Sequence, residues 1–168
     1  MIAYFIMIIS LLLDGVLTNY LPFMENNLSL FTPLLTIVSI FIIYPLYYKR
    51  EKEYFITIFI LGIIYDLLYT NLLFLNATLF VILGLITKFL YKNYEVSYLK
   101  LIIYISILII IYEGLTGTIL FIFHTVPITI TKVWYKITHS LIINILYAEL
   151  VYFILNKIPK KYKKIRIN

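Results

Sequence analysis

The charged residues of this chain are not spread along it. They collect into short knots between apolar blocks of about twenty residues, the length a helix needs to cross a bilayer core. That spacing excludes a water-soluble domain. A soluble protein of 168 residues carries roughly a quarter of its residues as charges, distributed over the outer faces of its helices and strands. Here the charged share is 13% and the apolar share 63%. The solvent for most of the chain must be lipid, and a helix keeps its own backbone polar groups satisfied there.

The breaks between blocks predict six spans, at about 2–20, 30–47, 54–70, 72–91, 98–123 and 134–156, in one polytopic membrane domain over residues 1–168. Tyr20–Ser29, with Pro22 and an Asn pair, separates the first two. Pro33 falls in the first turn of the second span, where proline fits, and Pro45 should kink or end it. The knot Lys49-Arg50-Glu51-Lys52-Glu53, a tight hairpin at Asn71, the loop Lys92-Asn93-Tyr94-Glu95 and the segment Thr125–Thr131 mark the remaining turns. Residues 157–168 read as a strongly basic tail. The first thirteen residues lack a basic lead and a cleavage site, and read as a retained helix.

Lys and Arg fall twelve to one side and two to the other when loops are counted alternately, the two being Lys132 and Lys136. The expected arrangement is an all-α protein with both termini in the cytoplasm. A net charge of +6 is then accounted for by the positive-inside rule and anionic lipid, and nucleic acid is not an expected partner. Cysteine is absent, which removes thiolate metal sites and cysteine nucleophiles.

Ionisable side chains at membrane depth cost several kcal/mol, so each requires a reason. Asp14, Asp66, Glu113 and Glu149 lie within spans, joined by Asn76, His139 and Asn144. Asp14, Asp66, Asn76 and His139 fall in the outer half, with Glu113 nearer the middle. They either hold helices together and cap the Thr70-Asn71 hairpin, which is the preferred reading, or line a pocket open to the outside. Gly62 precedes Asp66 by four residues and shares its helix face, where glycine allows close approach. Gly114 and Gly117 form a similar small patch beside Glu113, also read as packing.

Enzyme signatures fail. Asp14-Gly15 is a fragment of the metal-binding motif of membrane alcohol phosphotransferases, without its further aspartates. No nucleophile elbow, zinc-protease helix or phosphate loop is present, and His124 and His139 are poorly placed for a metal. No catalytic residue, metal or cofactor is expected.

The third and fourth spans carry Gly62-Ile-Ile-Tyr-Asp66-Leu-Leu-Tyr-Thr-Asn71, then Leu75-Asn76-Ala77-Thr78-Leu79-Phe80 and Leu83-Gly84. This pattern resembles the MreD family of rod shape-determining membrane proteins, with its glycine-bearing helix ending in Asp-Leu-Leu, short hairpin and Leu-Asn-Ala opening. Pro33 ahead of an apolar run that ends in Lys-Arg-Glu, and Asn144 in the sixth span, are similar to that family too. The family usually has a glycine in the hairpin, and Thr70–Phe74 offers none. The resemblance implies a non-enzymatic component of bacterial cell elongation in the cytoplasmic membrane. It would bind MreC, a single-span protein, and through it associate with the MreB filament, RodA and its transpeptidase in peptidoglycan synthesis. The alternative is the substrate-binding subunit of an energy-coupling-factor vitamin transporter, also a six-helix protein of this size. Its first helix usually presents Ala-x-x-x-Ala, whereas Ala3 is followed four residues later by Met7.

Overall fold

The computed structural model describes residues 2–20, 33–47, 49–70, 72–93, 97–122 and 130–157, and every element among them is helical. The helices are α1 (Ile2–Tyr20), α2 (Leu35–Ile43), α3 (Glu51–Tyr69), α4 (Leu75–Asn93), α5 (Tyr98–Ile122) and α6 (Ile130–Lys157), with a 3-10 turn over Tyr44–Tyr47 continuing α2. Asn71, the body of the Tyr20–Ser29 stretch, Tyr94 and Glu95, residues 125–129 and the tail beyond Lys157 lie outside the described residues.

Four helices are long and apolar enough to cross a membrane: α1, α4, α5 and α6. The other two depart from that pattern for different reasons. α3 has 19 residues but carries Glu51, Lys52 and Glu53 in its first turn and Asp66 near its end. α2 has only nine. With its 3-10 turn it spans about 21 Å, from rises of 1.5 and 2.0 Å per residue, short of a hydrocarbon core about 30 Å thick. Pro33 does not enter its first turn; it lies two residues before the helix.

Every residue of α2 is buried. A helix apolar on all sides belongs inside a bundle, and α2 packs against α1, α4, α5 and α6. Around it, α3 pairs with α4 and α5 with α6. The outer faces keep large apolar side chains exposed, among them Phe5, Leu12, Leu67, Leu85, Leu99 and Leu146. Among helices of this length and hydropathy such faces are lipid-facing surface.

The helices alternate in direction, which gives the bundle two unlike halves. One half is aromatic. Tyr4 of α1 meets Tyr47, Tyr44 meets both Tyr54 and Tyr91, and Phe41 meets Tyr91 and Tyr104, with ring centroids between 4.9 and 6.1 Å apart. At its rim the Lys88 ammonium donates to Glu51 at 2.7 Å, tying α4 to α3. That bond, first among the causes, holds the Glu51 carboxyl below its usual range.

Pro45 organises this half. It has no N–H for the Phe41 carbonyl, so the Tyr44 N–H bonds to Phe41 instead and the helix tightens to 3-10. The Ile40 carbonyl thereby loses the Tyr44 N–H as its α-helical donor. The hydroxyl of fully buried Tyr54 takes that place at 3.1 Å.

In the opposite half, the α3–α4 turn puts Phe74 at φ 67°, in the left-handed region. A side chain costs about 1–2 kcal/mol in that region, where glycine costs little. Phe74 is 58% exposed, so little packing offsets the cost. Phe74→Gly should therefore raise the stability of the detergent-solubilised protein by about 1 kcal/mol, read as a higher melting temperature. A lower one would show that the phenyl ring anchors the turn.

Candidate functional site

The second half of the bundle holds most of the buried polar residues. Ser10, Asp14, Thr36, Asp66, Asn76, Glu113, Ser140 and Asn144 are all buried there, and Ser39 lies one helical turn further along α2. Most of them fall into two clusters, while Ser10 bonds to Tyr147 and Glu113 stands apart.

The first cluster surrounds the start of α2. A buried helix N-terminus presents backbone N–H groups with no partner in the helix. The residue at its N-cap is Leu34, which has no side-chain oxygen to offer. The acceptors come from elsewhere in the chain. The Asp14 carboxylate of α1 accepts the Leu35 N–H at 2.7 Å on one oxygen and the Thr36 N–H at 3.0 Å on the other. Asn144 of α6 accepts the Leu34 N–H at 2.8 Å, while its amide nitrogen donates to the Ser140 carbonyl at 2.7 Å. Three otherwise orphaned donors are thus satisfied by two other helices. The positive end of the helix dipole also favours the Asp14 charge.

The second cluster joins α3 to α4 by the same device. Asp66 accepts the Asn76 N–H at 3.0 Å, the Asn76 side-chain amide at 2.8 Å, the Ala77 N–H at 3.3 Å and the Thr70 hydroxyl at 2.9 Å. The Tyr112 hydroxyl of α5 donates to the Asn76 side-chain oxygen at 2.7 Å and brings the third helix in. Gly62 makes the approach possible. A Cβ there would run into the Ala77 backbone, meeting its nitrogen at 2.7 Å and the Asn76 carbonyl oxygen at 2.8 Å.

Glu113 belongs to neither cluster. It is 5% exposed, and no described residue donates a hydrogen bond to it; the Lys136 ammonium of α6 acts on it through space. His139 is half-buried and stacks on Tyr135, with its Nδ1 2.9 Å from the Tyr135 carbonyl. Glu149 lies in the aromatic half and accepts the Tyr98 hydroxyl at 2.5 Å.

The glycines divide. Gly15 faces the Tyr69 ring, whose hydroxyl donates to the Leu11 carbonyl at 2.8 Å, so Asp14-Gly15 has a packing explanation that needs no metal. Gly114 departs from the expected packing role within this chain: a Cβ built on it meets nothing within 4 Å.

Sequence reasoning missed the backbone donors at Leu34–Thr36, the Tyr112 hydroxyl, and a hydrogen bond between Ser10 of α1 and Tyr147 of α6 at 2.6 Å. Pro33 was the available signal. A proline followed by Leu34 and Leu35 starts a helix with no cap of its own, so the cap must come from another helix.

Each buried donor left without an acceptor costs about 1–3 kcal/mol. Asp66→Asn keeps one carbonyl oxygen toward α4, whereas Asp66→Leu keeps none. Thermal melting in mild detergent should rank wild type above Asp66→Asn and both above Asp66→Leu; equal melting of all three would remove the capping role. Gly62→Ala should lower stability by about 1–3 kcal/mol, the usual cost of overpacking. Gly114→Ala should leave it unchanged or raise it, since alanine is the better helix former.

The family model described as rod shape-determining protein MreD matches residues 1–162. No curated protein and no solved structure matches the chain. The match takes in α1 to α6 with both capped clusters, and the four long apolar helices make this a membrane protein. The chain belongs to the MreD family of rod shape-determining membrane proteins.

Proposed function

We propose that this protein is a non-enzymatic scaffold of the bacterial cell-elongation complex in the cytoplasmic membrane. It crosses that membrane six times with both termini inside. It binds MreC, a single-span protein, and through it helps to organise peptidoglycan synthesis alongside the MreB filament, RodA and its transpeptidase.

The observation that carries this reading is the use made of the buried acids. Asp14 and Asp66 are the residues that would equip an outer ligand pocket or a proton path. Both are committed to capping other helices of the same bundle, with Asn144 and Asn76 beside them. Carboxylates engaged on both oxygens in this way have reduced capacity left for a small ligand. A bundle that directs its polar groups to fixing helix positions suits intramembrane assembly, with its lipid-facing helix faces as the main surface on offer. The twelve-to-two distribution of Lys and Arg favours a cytoplasmic aromatic half and an outer half built on the caps.

The first test is purification of the tagged protein from its native membranes in gentle detergent, with mass spectrometry of what stays bound. The expected result is a single-span protein with an extracytoplasmic domain, with or without wall-synthesis enzymes. Recovery of paired ATPases and a membrane coupling subunit would make this a transporter component instead. A reporter fused after Asn168 should be active in the cytoplasm; an extracytoplasmic signal would overturn the six-span arrangement.

A further inference from the structure

Glu113 is a buried carboxylate that caps nothing. Asp14 and Asp66 each accept several hydrogen bonds, whereas Glu113, 5% exposed, accepts none from any described residue. Lys136 makes no ion pair with it within 4 Å. A carboxylate at membrane depth without a donor costs free energy, and the hydrocarbon of lipid tails contains no donor.

The helix face next to it is open. Gly15, Gly62 and Gly84 each have a neighbour in the space a Cβ would fill, and Gly114 has none. Glycine costs a helix about 1 kcal/mol relative to alanine, and at Gly114 no contact with a described residue offsets that cost. Gly117 lies one turn away on the same stripe and is half-buried. The Thr118 hydroxyl is already used, donating to the Gly114 carbonyl at 2.7 Å. Exposed Ile110 and Ile122 continue the face. Small residues that let a backbone approach, beside a polar group lacking its partner, are the features that join helices in lipid.

A second copy of this chain is a poor occupant. A two-fold contact through this stripe would set one Glu113 carboxylate near its mate, and like charges oppose that arrangement. We propose that the Gly114–Thr118 stripe of α5 seats one transmembrane helix of a different protein, which presents a hydrogen-bond donor to Glu113. The inference rests on the scaffold reading above and adds the face on which the single-span partner docks. The donor is an amide, hydroxyl, guanidinium or ammonium group at membrane depth in that helix.

The test uses the full chain in its native membranes. A photo-crosslinking residue at position 114 should capture a single-span protein, and the same residue at position 85, on the exposed face of α4, should not. Gly114→Leu should melt as the wild type does yet recover at least about tenfold less partner, the effect of a clash of about 1.4 kcal/mol. Glu113→Leu should also lose the partner without melting earlier, because it removes an acceptor that had no donor. Glu113→Gln keeps a carbonyl oxygen and should retain the partner. Cross-links from position 114 only to lipid or to a second copy would overturn the proposal. So would wild-type recovery by Gly114→Leu, which would move the partner to another face and leave the scaffold reading intact. A wild-type protein that retains no single-span partner would overturn both.

Discussion

A helix that begins inside a membrane exposes N–H groups where no water can receive them, and α2 begins in that way. Its nine residues are buried on every side, and its N-cap residue is a leucine. Without acceptors for Leu34, Leu35 and Thr36 the central helix would carry three unsatisfied donors, at about 1–3 kcal/mol each. Asp14 and Asn144 supply the acceptors, and in doing so set where α1 and α6 stand relative to α2. The carboxylate and the helix end need each other: a charge this buried is costly unless hydrogen-bonded, and the dipole of α2 helps to make it tolerable.

The same solution recurs at Asp66 and the start of α4, and the repetition explains the division of the bundle into unlike halves. Helix N-termini of α2 and α4 fall in one half, so the acceptors gather there. The other half contains the end of α2, where the orphaned groups are carbonyls, and tyrosine supplies a donor. Tyr54 reaches Ile40 because Pro45 displaced the hydrogen-bond register by one residue. Acids at the N-terminal ends and a phenol at the C-terminal end are responses to one constraint, the backbone satisfied without water.

Much of this architecture is written in the order of apolar blocks and charged knots, because lipid imposes a length and a polarity that few sequences meet by accident. The helical membrane character is legible at that level, and the family in the pattern from Gly62 to Gly84. Asp66 and Asn76 are also readable as neighbours, since a hairpin joins them ten residues apart. The partners of Asp14 were not readable, for a physical reason. Its acceptor role is toward backbone 21 residues away, and Asn144 reaches backbone 110 residues away. Backbone N–H groups leave no mark in a sequence. Only the missing cap at Leu34 hinted that α2 needed help from outside, and the expectation of a longer second helix with Pro33 inside it concealed that hint.

Capping in trans also bears on how such a bundle tolerates a partner. Its capping groups, Asp14, Asn144, Asp66 and Asn76, are engaged with one another's helices, so a helix arriving from outside finds little to exchange bonds with at the caps. Association then depends on what the interior leaves unsaturated at its margin. Glu113 sits at the edge of the buried face of α5, beside a glycine whose Cβ position meets no described residue. A capped interior with a carboxylate at its edge that accepts no bond from a described residue can hold a neighbour in a fixed register without loosening its caps. That combination suits a protein whose family is defined by shape determination.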